Sequence, residues 1–379
     1  MEKATLLPDR EGTEPDREST EQNREGTGTD REGTETDRED ADRVPLPERL
    51  DQELGKLGKP KENMEEWLES VVSGYDAANV PVHLWQADFD QDGLSNEWVT
   101  VLREEIRNQQ SGEPDQRNAY GIFIAYRDGQ FMLQSFRFPE ESFGKANVEA
   151  VEDLTGDGKP EVVWVSHTGG AHTTVSRYTV STWSDGRLES LEGSAEMANV
   201  SATKIVDGQL MITGGVIGSA GAGSWQREYT DTYSIVDRTI RRIDRVFADS
   251  PTPYHRLLDG LWAEALGHPE RALQYYTEAA EMKASSYKGY DFITGSEWVE
   301  GDAYAEIEEF ERIVKRFALL RKELLTRILK GEAPESACPS AKEAAGYDET
   351  WLPYLNAPAG YANPSWDKDS ICSTVDELE

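Results

Sequence analysis

The sequence predicts a multi-domain α+β protein in which an antiparallel β domain is followed by an α-helical domain. Acidic repeats fill the start of the chain. Short β-branched and aromatic runs with Asp-Gly turns fill the middle, and apolar residues at helical spacing follow. We therefore divide the 379 residues into a disordered acidic tail at 1–60, a β domain at 61–248 and a helical domain with a loop-rich end at 249–379.

The chain is strongly acidic, with a formal net charge of -34 and a pI near 4.5. This charge balance argues against nucleic acid or an anionic membrane as a partner, because both bind broad basic surfaces. Cations are the expected small partners, although a well-solvated or salt-adapted surface is equally acidic. No apolar run of about eighteen residues occurs, which predicts that no segment crosses a membrane.

The tail carries an imperfect heptad repeat over 9–40, typified by Asp-Arg-Glu-Gly-Thr-Glu-Thr at 30–36. A coiled coil needs two apolar positions in each heptad and this repeat has none, so the tail is predicted to stay solvated and disordered. After it, residues 62–74 are predicted to form a short amphipathic helix that packs on the next domain. Its apolar positions are Met64, Trp67, Leu68 and Val71.

From Val82 to Phe247 short strands alternate with turns, and three Asp-Gly turns join strands into hairpins. These turns are Asp128-Gly129, Asp185-Gly186 and Asp207-Gly208. About ten strands of this length would fill a sandwich or two to three propeller blades, whereas a closed propeller usually has at least four blades. The prediction is an antiparallel β domain that is either a sandwich or part of a propeller.

The helical domain begins after Pro251, where Gly267 ends one predicted helix and Pro269 begins the next. The small and aromatic residues of this pair resemble a tetratricopeptide helical hairpin. They are Leu266, Gly267, Ala272, Tyr276 and Ala279. Only one copy is clear, so a generic helical hairpin is the alternative. A longer helix predicted from Asp302 to Lys330 would supply its partner surface.

Two Asp-rich loops, named loop 1 and loop 2, carry the chemistry of the β domain. Calcium loops place carboxylates or hydroxyls at positions 1, 3 and 5, glycine at 6, a backbone carbonyl at 7 and a further ligand at 9. In loop 1 the predicted ligands are Asp88, Asp90, Asp92, the carbonyl of Leu94, and Asn96, with Glu97 as the alternative to Asn96. In loop 2 they are Asp153, Thr155, Asp157, the carbonyl of Lys159, and Glu161. The alternative is a pair of Asp-Gly turns whose carboxylates bond their own backbone.

Neither loop is an EF-hand, because Val99 and Trp164 stand where the bidentate glutamate of position 12 belongs. With strand-like residues on both sides, the loops resemble the calcium loops of integrin-like FG-GAP and VCBS repeats, which join two strands of a propeller blade. That resemblance implies a calcium-stabilised, extracytoplasmic binding or adhesion protein, often a bacterial lipoprotein, with an unidentified protein or glycan partner. The chain departs from the family in having too few repeats for a full propeller and no visible lipoprotein signal.

The start of the chain bears on localisation. The residues after Met1 lack the apolar core of a secretory signal, so we expect membrane anchoring only through a lipid signal that this sequence lacks. A cytoplasmic location is expected if Met1 is the true start, and a periplasmic or cell-surface location if it is not. Cys338 and Cys372 are predicted either to form one disulfide or to remain two thiols in a reducing compartment.

The favoured function is non-enzymatic, and the alternative is a hydrolase or glycan-processing enzyme with a site near His167 and His172. Two histidines near paired glycines have the residue types of a zinc site or an oxyanion site, yet their spacing matches no zinc signature. The glycine-rich stretch 214–224 lacks the Gly-Lys-Ser/Thr ending of a phosphate loop. A flexible loop or bulged strand is the simpler interpretation of that stretch.

Overall fold

The computed structural model describes the chain from residue 44, with internal gaps. The described residues are 44–75, 82–107, 114–142, 145–170, 172–219, 221, 223, 225–250, 252–283, 290–291, 296–297 and 303–375. Every element named below belongs to the compact unit Leu46–Glu379. The heptad repeat predicted to be disordered lies outside the described residues.

Seven α-helices are described. They are α1 Leu46–Gly55, α2 Met64–Ser73, α3 Pro253–Ala265, α4 Pro269–Glu281, α5 Ala303–Leu329, α6 Pro334–Ala345 and α7 Leu352–Leu355. The strands up to loop 2 are β1 Trp85–Ala87, β2 Glu97–Arg107, β3 Pro114–Arg127, β4 Gln130–Arg137 and β5 Ala146–Glu152. Those after loop 2 are β6 Glu161–Gly169, β7 Thr174–Ser184, β8 Arg187–Ser190, β9 Ala195–Ala198, β10 Ala202–Val206, β11 Gln209–Gly214, β12 Tyr229–Val236, β13 Thr239–Phe247, β14 Tyr290–Asp291 and β15 Ser296–Glu297.

The strands form three successive antiparallel sheets and one short pair. Sheet A has the order β1-β2-β3-β4, sheet B the order β5-β6-β7-β8 with β9 beside β7, and sheet C the order β10-β11-β12-β13. In each sheet consecutive strands pair as a meander, except that β9 pairs with β7, and an Asp-Gly turn closes one hairpin of each sheet. The mixed α+β prediction, with a β region followed by helices, is confirmed.

The three sheets stack in the order A, B, C, with one apolar core between A and B and another between B and C. Along β6, Val162 and Trp164 join the core between sheets A and B, whereas Val163 and Val165 join the core between sheets B and C. Successive side chains of a strand point to opposite faces, so a strand with cores on both sides must be apolar at every position. The run Val162-Val-Trp-Val165 meets that requirement.

Helices α1 and α2 cover the outer face of sheet A, where they share a core with Ile122 and Ile124 of β3. The helix predicted at 62–74 is present as α2, and Asn63 caps it by accepting a bond from the Glu66 amide at 3.1 Å. Helix α1 lies within the segment 1–60 that the sequence assigned to the tail, and its leucines are buried. They are Leu46, Leu50 and Leu54.

The C-terminal helices form a separate apolar core. Helices α3 and α4 make the predicted hairpin, in which the Tyr276 ring packs directly on Gly260 and a Cβ at position 260 would overlap it. Helix α5 packs along this hairpin. A disulfide joins Cys338 of α6 to Cys372, which confirms one of the two alternatives for these cysteines. At the other end of the core, α3 packs against β13 of sheet C.

Candidate metal centre

Loops 1 and 2 occupy corresponding places in sheets A and B. Loop 1 connects β1 to β2 and loop 2 connects β5 to β6. The stacking of the two sheets brings the loops together, since Gln91 Nε2 donates to the Asp157 carbonyl at 3.4 Å. The β10–β11 turn lies beyond loop 2, where a Cβ on Gly208 would be 3.3 Å from the Leu154 carbonyl oxygen. Three acidic turns therefore line one end of the stacked sheets.

Three carboxylates of loop 1 converge. One oxygen each of Asp88, Asp90 and Glu97 lie within 4.8 Å of one another, close enough to bind one metal ion. Within the described part of the chain this is the one such group of three or more acidic, histidine or cysteine side chains. Asp88 and Asp90 are half-buried, and Glu97 is the first residue of β2.

The backbone of loop 1 folds around Asp88. Its Oδ1 accepts a hydrogen bond from the Asp92 amide at 3.1 Å, and its Oδ2 accepts one from the Gly93 amide at 2.9 Å. Gly93 has φ +87°, a left-handed conformation that favours glycine. Asp92 is exposed and caps the amide of Leu94 at 2.7 Å. These bonds occur in a bare Asx turn as well, so the loop conformation alone does not distinguish the two predictions.

Glu97 is the unusual member of the group because it is 0% exposed. Its Oε2 accepts a bond from the Phe89 amide at 3.2 Å, while Oε1 has no hydrogen-bond partner among the described residues. Burial raises the pKa of Glu97 to about 7; the bond from Phe89 opposes this shift, and the charges of Asp92 and Asp88 add to it. A buried carboxylate with an unpaired oxygen is costly, and a cation would stabilise it.

The structure places Glu97 with the aspartates. The Nδ2 of Asn96 donates to the Tyr126 carbonyl at 2.8 Å, while its Oδ1 is buried and accepts no hydrogen bond from the described residues. Loop 2 shows why position 10, and not position 9, supplies the carboxylate of loop 1. Glu97 is the first residue of β2, and Glu161 is the first residue of β6, although Glu161 stands at position 9 of its loop. Both glutamates accept a bond from the amide of the second loop residue, Phe89 or Leu154. Loop 1 is one residue longer between its first aspartate and this glutamate.

Sequence reasoning missed one residue of the site, Arg127. Its Nη2 donates to Asp90 Oδ2 and lies 3.6 Å from Glu97 Oε1, while its guanidinium carbon lies 4.4 Å from the centre of the Trp183 ring. The signal lay in strand pairing, because Glu97 stands opposite Ala125 and Arg127 follows two residues later. A residue at the end of β3 therefore faces the loop that precedes β2.

Loop 2 satisfies its acidic groups internally. Asp153 accepts bonds from the Gly156 amide at 2.7 Å and the Gly158 amide at 2.9 Å, and Asp157 accepts one from the Lys159 amide at 2.8 Å. Asp153, Thr155 and Asp157 are exposed, and in loop 1 the predicted carbonyl ligand Leu94 is exposed too.

Glu161 is 0% exposed like Glu97, but both of its oxygens are bonded. It accepts bonds from the amides of Leu154 and Thr155 at 2.8 and 3.1 Å and from the Thr182 hydroxyl at 2.8 Å. Burial raises the pKa of Glu161, and these three bonds oppose the shift. Loop 2 therefore has the carboxylates of a metal site, but its buried glutamate has no oxygen that lacks a hydrogen bond.

The histidines of the alternative site are in different environments. His167 lies in β6, and its Nδ1 shares a 2.9 Å hydrogen bond with the Ser176 hydroxyl of β7. Burial lowers the pKa of His167, and the charges of Arg103 and Lys145 lower it further. His172 is exposed in the following turn.

At the start of the glycine-rich stretch, Gly214 is required by packing, because a Cβ there would lie 2.7 Å from the Ala198 carbonyl oxygen.

Among the described helices, none is both long enough and apolar enough to span a bilayer. A scan against models of known protein families gives no match. A search of curated proteins gives no match either.

Proposed function

We propose that the protein is a non-enzymatic, extracytoplasmic calcium-binding protein that acts in binding, adhesion or scaffolding. The observation that carries the proposal is the convergence of Asp88, Asp90 and Glu97 within 4.8 Å, with a fully buried Glu97 oxygen that lacks a hydrogen-bond partner. A divalent cation at this point would offset the repulsion of the three carboxylates and the desolvation of Glu97.

The donor types favour calcium over other metals. Every candidate ligand is an oxygen, which suits a hard cation, whereas zinc and copper sites draw on histidine and cysteine. Asp92 and the Leu94 carbonyl belong to the same loop and supply further oxygens for the six to eight that calcium takes. Loop 2 is the second proposed calcium site, through Asp153, Thr155, Asp157, the Lys159 carbonyl and Glu161, and its fully bonded glutamate makes it the weaker one.

The fold supports an arrangement of the FG-GAP type. Each of the three sheets is a meander built on four strands in chain order, as in a propeller blade, and the two Asp-rich loops connect the first two strands of their sheets. In the proposed arrangement the three sheets are an open set of blades, and helices lie beside its first and last members. Helices α1 and α2 cover sheet A, and α3 packs against sheet C, where Arg245 lies 3.8 Å from the centre of the Trp262 ring.

Two features support the binding role and the location. The disulfide between Cys338 and Cys372 is the kind of bond that persists in oxidising compartments outside the cytoplasm. The α3–α4 hairpin resembles one tetratricopeptide unit, and such units bind partners on their helical faces. The partner is proposed to be a protein or a glycan.

Thermal unfolding of the full chain tests calcium binding. Far-ultraviolet circular dichroism would be recorded in EDTA, in calcium and in magnesium, beside the double variant Asp88→Asn/Asp90→Asn. Its matched control is Asp185→Asn/Asp237→Asn, which removes the same charge at two hairpin turns where asparagine tolerates the positive φ.

The wild type and the control are expected to gain about 1.4 kcal/mol for each site at a calcium concentration ten times the dissociation constant of that site. The loop 1 variant should gain less, because only loop 2 remains intact. Equal melting temperatures of the wild type in EDTA and in calcium would refute the proposal.

A further inference from the structure

Loops 1 and 2 are built alike, and a comparison of the strands beside them isolates what differs. Glu97 pairs with Ala125 of β3. In sheet B, Val162 pairs with Ser181, so Thr182 of β7 is the residue beside Glu161. The Thr182 hydroxyl donates to Glu161 Oε1 at 2.8 Å. A methyl group at Ala125 cannot donate, and this leaves Glu97 Oε1 without a hydrogen bond.

The second difference lies two residues further along the same strands. Arg127 in β3 corresponds to Ser184 in β7, and each directly precedes an Asp-Gly hairpin turn. The Arg127 guanidinium bonds Asp90 and lies at ion-pair distance, 3.6 Å, from the Glu97 oxygen that accepts no hydrogen bond from the described residues. Loop 1 therefore has an arginine beside its acidic cluster, whereas the residue at the corresponding position of sheet B, Ser184, carries no charge.

We propose that Arg127 determines the cation affinity of loop 1, by acting as an internal cation that calcium must displace from Asp90. This inference rests on the proposed calcium binding at loop 1. A guanidinium and a divalent ion beside the same three carboxylates repel each other, and partial burial strengthens that repulsion. The side chain of Arg127 is 25% exposed and Glu97 is fully buried, so water screens the pair weakly.

Displacement of Arg127 from Asp90 should be detectable by fluorescence at Trp183 of sheet B. The Arg127 guanidinium stacks on this indole, which is only 8% exposed. Movement of the guanidinium away from Asp90 changes the charge over the ring, and indole emission responds to such a change. Calcium binding at loop 1 should therefore alter the fluorescence of a tryptophan that contributes no ligand to the ion.

The test measures calcium affinity of the full chain by isothermal titration calorimetry with calcium chloride. Arg127→Gln keeps a polar side chain and removes the charge, and Arg127→Lys keeps the charge. The matched control is Arg117→Gln, which removes an equal charge from the same strand about 33 Å away, where Arg117 pairs with Glu105 at 3.1 Å.

Arg127→Gln should bind calcium at least tenfold more tightly than the wild type, a change of about 1.4 kcal/mol. Arg127→Lys should stay near the wild type, and Arg117→Gln should differ from it less than Arg127→Gln does. An unchanged or weaker affinity in Arg127→Gln would overturn the inference while leaving calcium binding intact. The absence of binding in every variant would overturn both the inference and the proposed function.

Fluorescence supplies a readout that does not depend on the measured affinity. Saturating calcium should change the tryptophan emission of the wild type, and this change should be smaller in Trp183→Phe and in Arg127→Gln. An equal change in all three proteins would contradict displacement of Arg127. Circular dichroism of each variant establishes that it is folded before the titration. If the glutamine variant fails to fold, the comparison of the wild type with Trp183→Phe still tests displacement, because an equal calcium-induced change in these two proteins would contradict it.

Discussion

Replacement of Glu97 by glutamine should raise the stability of the calcium-free protein and should reduce the extra stability that calcium binding gives the wild type. The pKa of Glu97 is raised from 4.5 to about 7, so between these values only the folded state keeps the proton and stability falls as the pH rises. Above pH 7 the full difference applies, which is about 3 kcal/mol. Solvent reaches the partly exposed Arg127 side chain beside Glu97 and screens these charges, so the expected gain in EDTA at pH 8 is about 1 to 2 kcal/mol.

Urea unfolding followed by circular dichroism, at pH 5 and pH 8 in EDTA, measures this difference. The matched control is Glu161→Gln, an equally buried glutamate whose charge is already stabilised by hydrogen bonds from Leu154, Thr155 and Thr182. Its gain at pH 8 should be smaller. Adding calcium should reverse the order of the wild type and Glu97→Gln. A Glu97→Gln protein that is less stable than the wild type at pH 8 in EDTA would refute the reasoning, because the ion pair with Arg127 would then outweigh the cost of burial.

Three further predictions concern the rest of the fold. Burial, together with the charge of Arg227, lowers the pKa of His255 to about 3. Below pH 6.5 only the unfolded state takes up the proton, so the free energy of unfolding should fall by about 1.4 kcal/mol for each pH unit, and His255→Gln should flatten this slope in urea titrations. Gly260→Ala should cost about 1 to 3 kcal/mol because its Cβ overlaps the tyrosine ring of α4, whereas Gly55→Ala, with nothing within 4 Å, should leave the urea midpoint nearly unchanged. Reduction of the disulfide, which spans 34 residues between Cys338 and Cys372, should lower stability by about 3 to 4 kcal/mol, and an unaltered melting temperature in reducing agent would contradict this.

Local patterns predicted the elements whose cause is local. The helix at α2 follows from apolar spacing and an asparagine cap, and the hairpin turns follow from Asp-Gly pairs that accept positive φ, such as Asp128 and Gly129. Helix α1 was missed because the acidic composition of residues 1–60 outweighed three leucines at a spacing of four. Those leucines are buried only because sheet A supplies a surface for them.

The candidate site was predictable in part. The aspartates of loop 1 stand two positions apart in the sequence, so their spacing alone identified Asp88 and Asp90. The state of Glu97 depends on the residue across the sheet, and Ala125 lies 28 positions away in the chain. Arg127 reaches the cluster through the same pairing. Such contacts follow from strand register, and register is visible only once the strands are paired.

Sheet B has apolar side chains on both faces, and this gives the β region the properties of an extendable array. An interior sheet with two apolar faces can pack against another of its kind, so duplication of the segment from β5 to β9 would lengthen the array and leave its ends intact. Helices α1 and α2 have an apolar face toward sheet A, and α3 packs against β13 of sheet C, so helices stand at both ends of the array. The number of sheets in a protein of this design is therefore set by where its terminal helices occur in the chain.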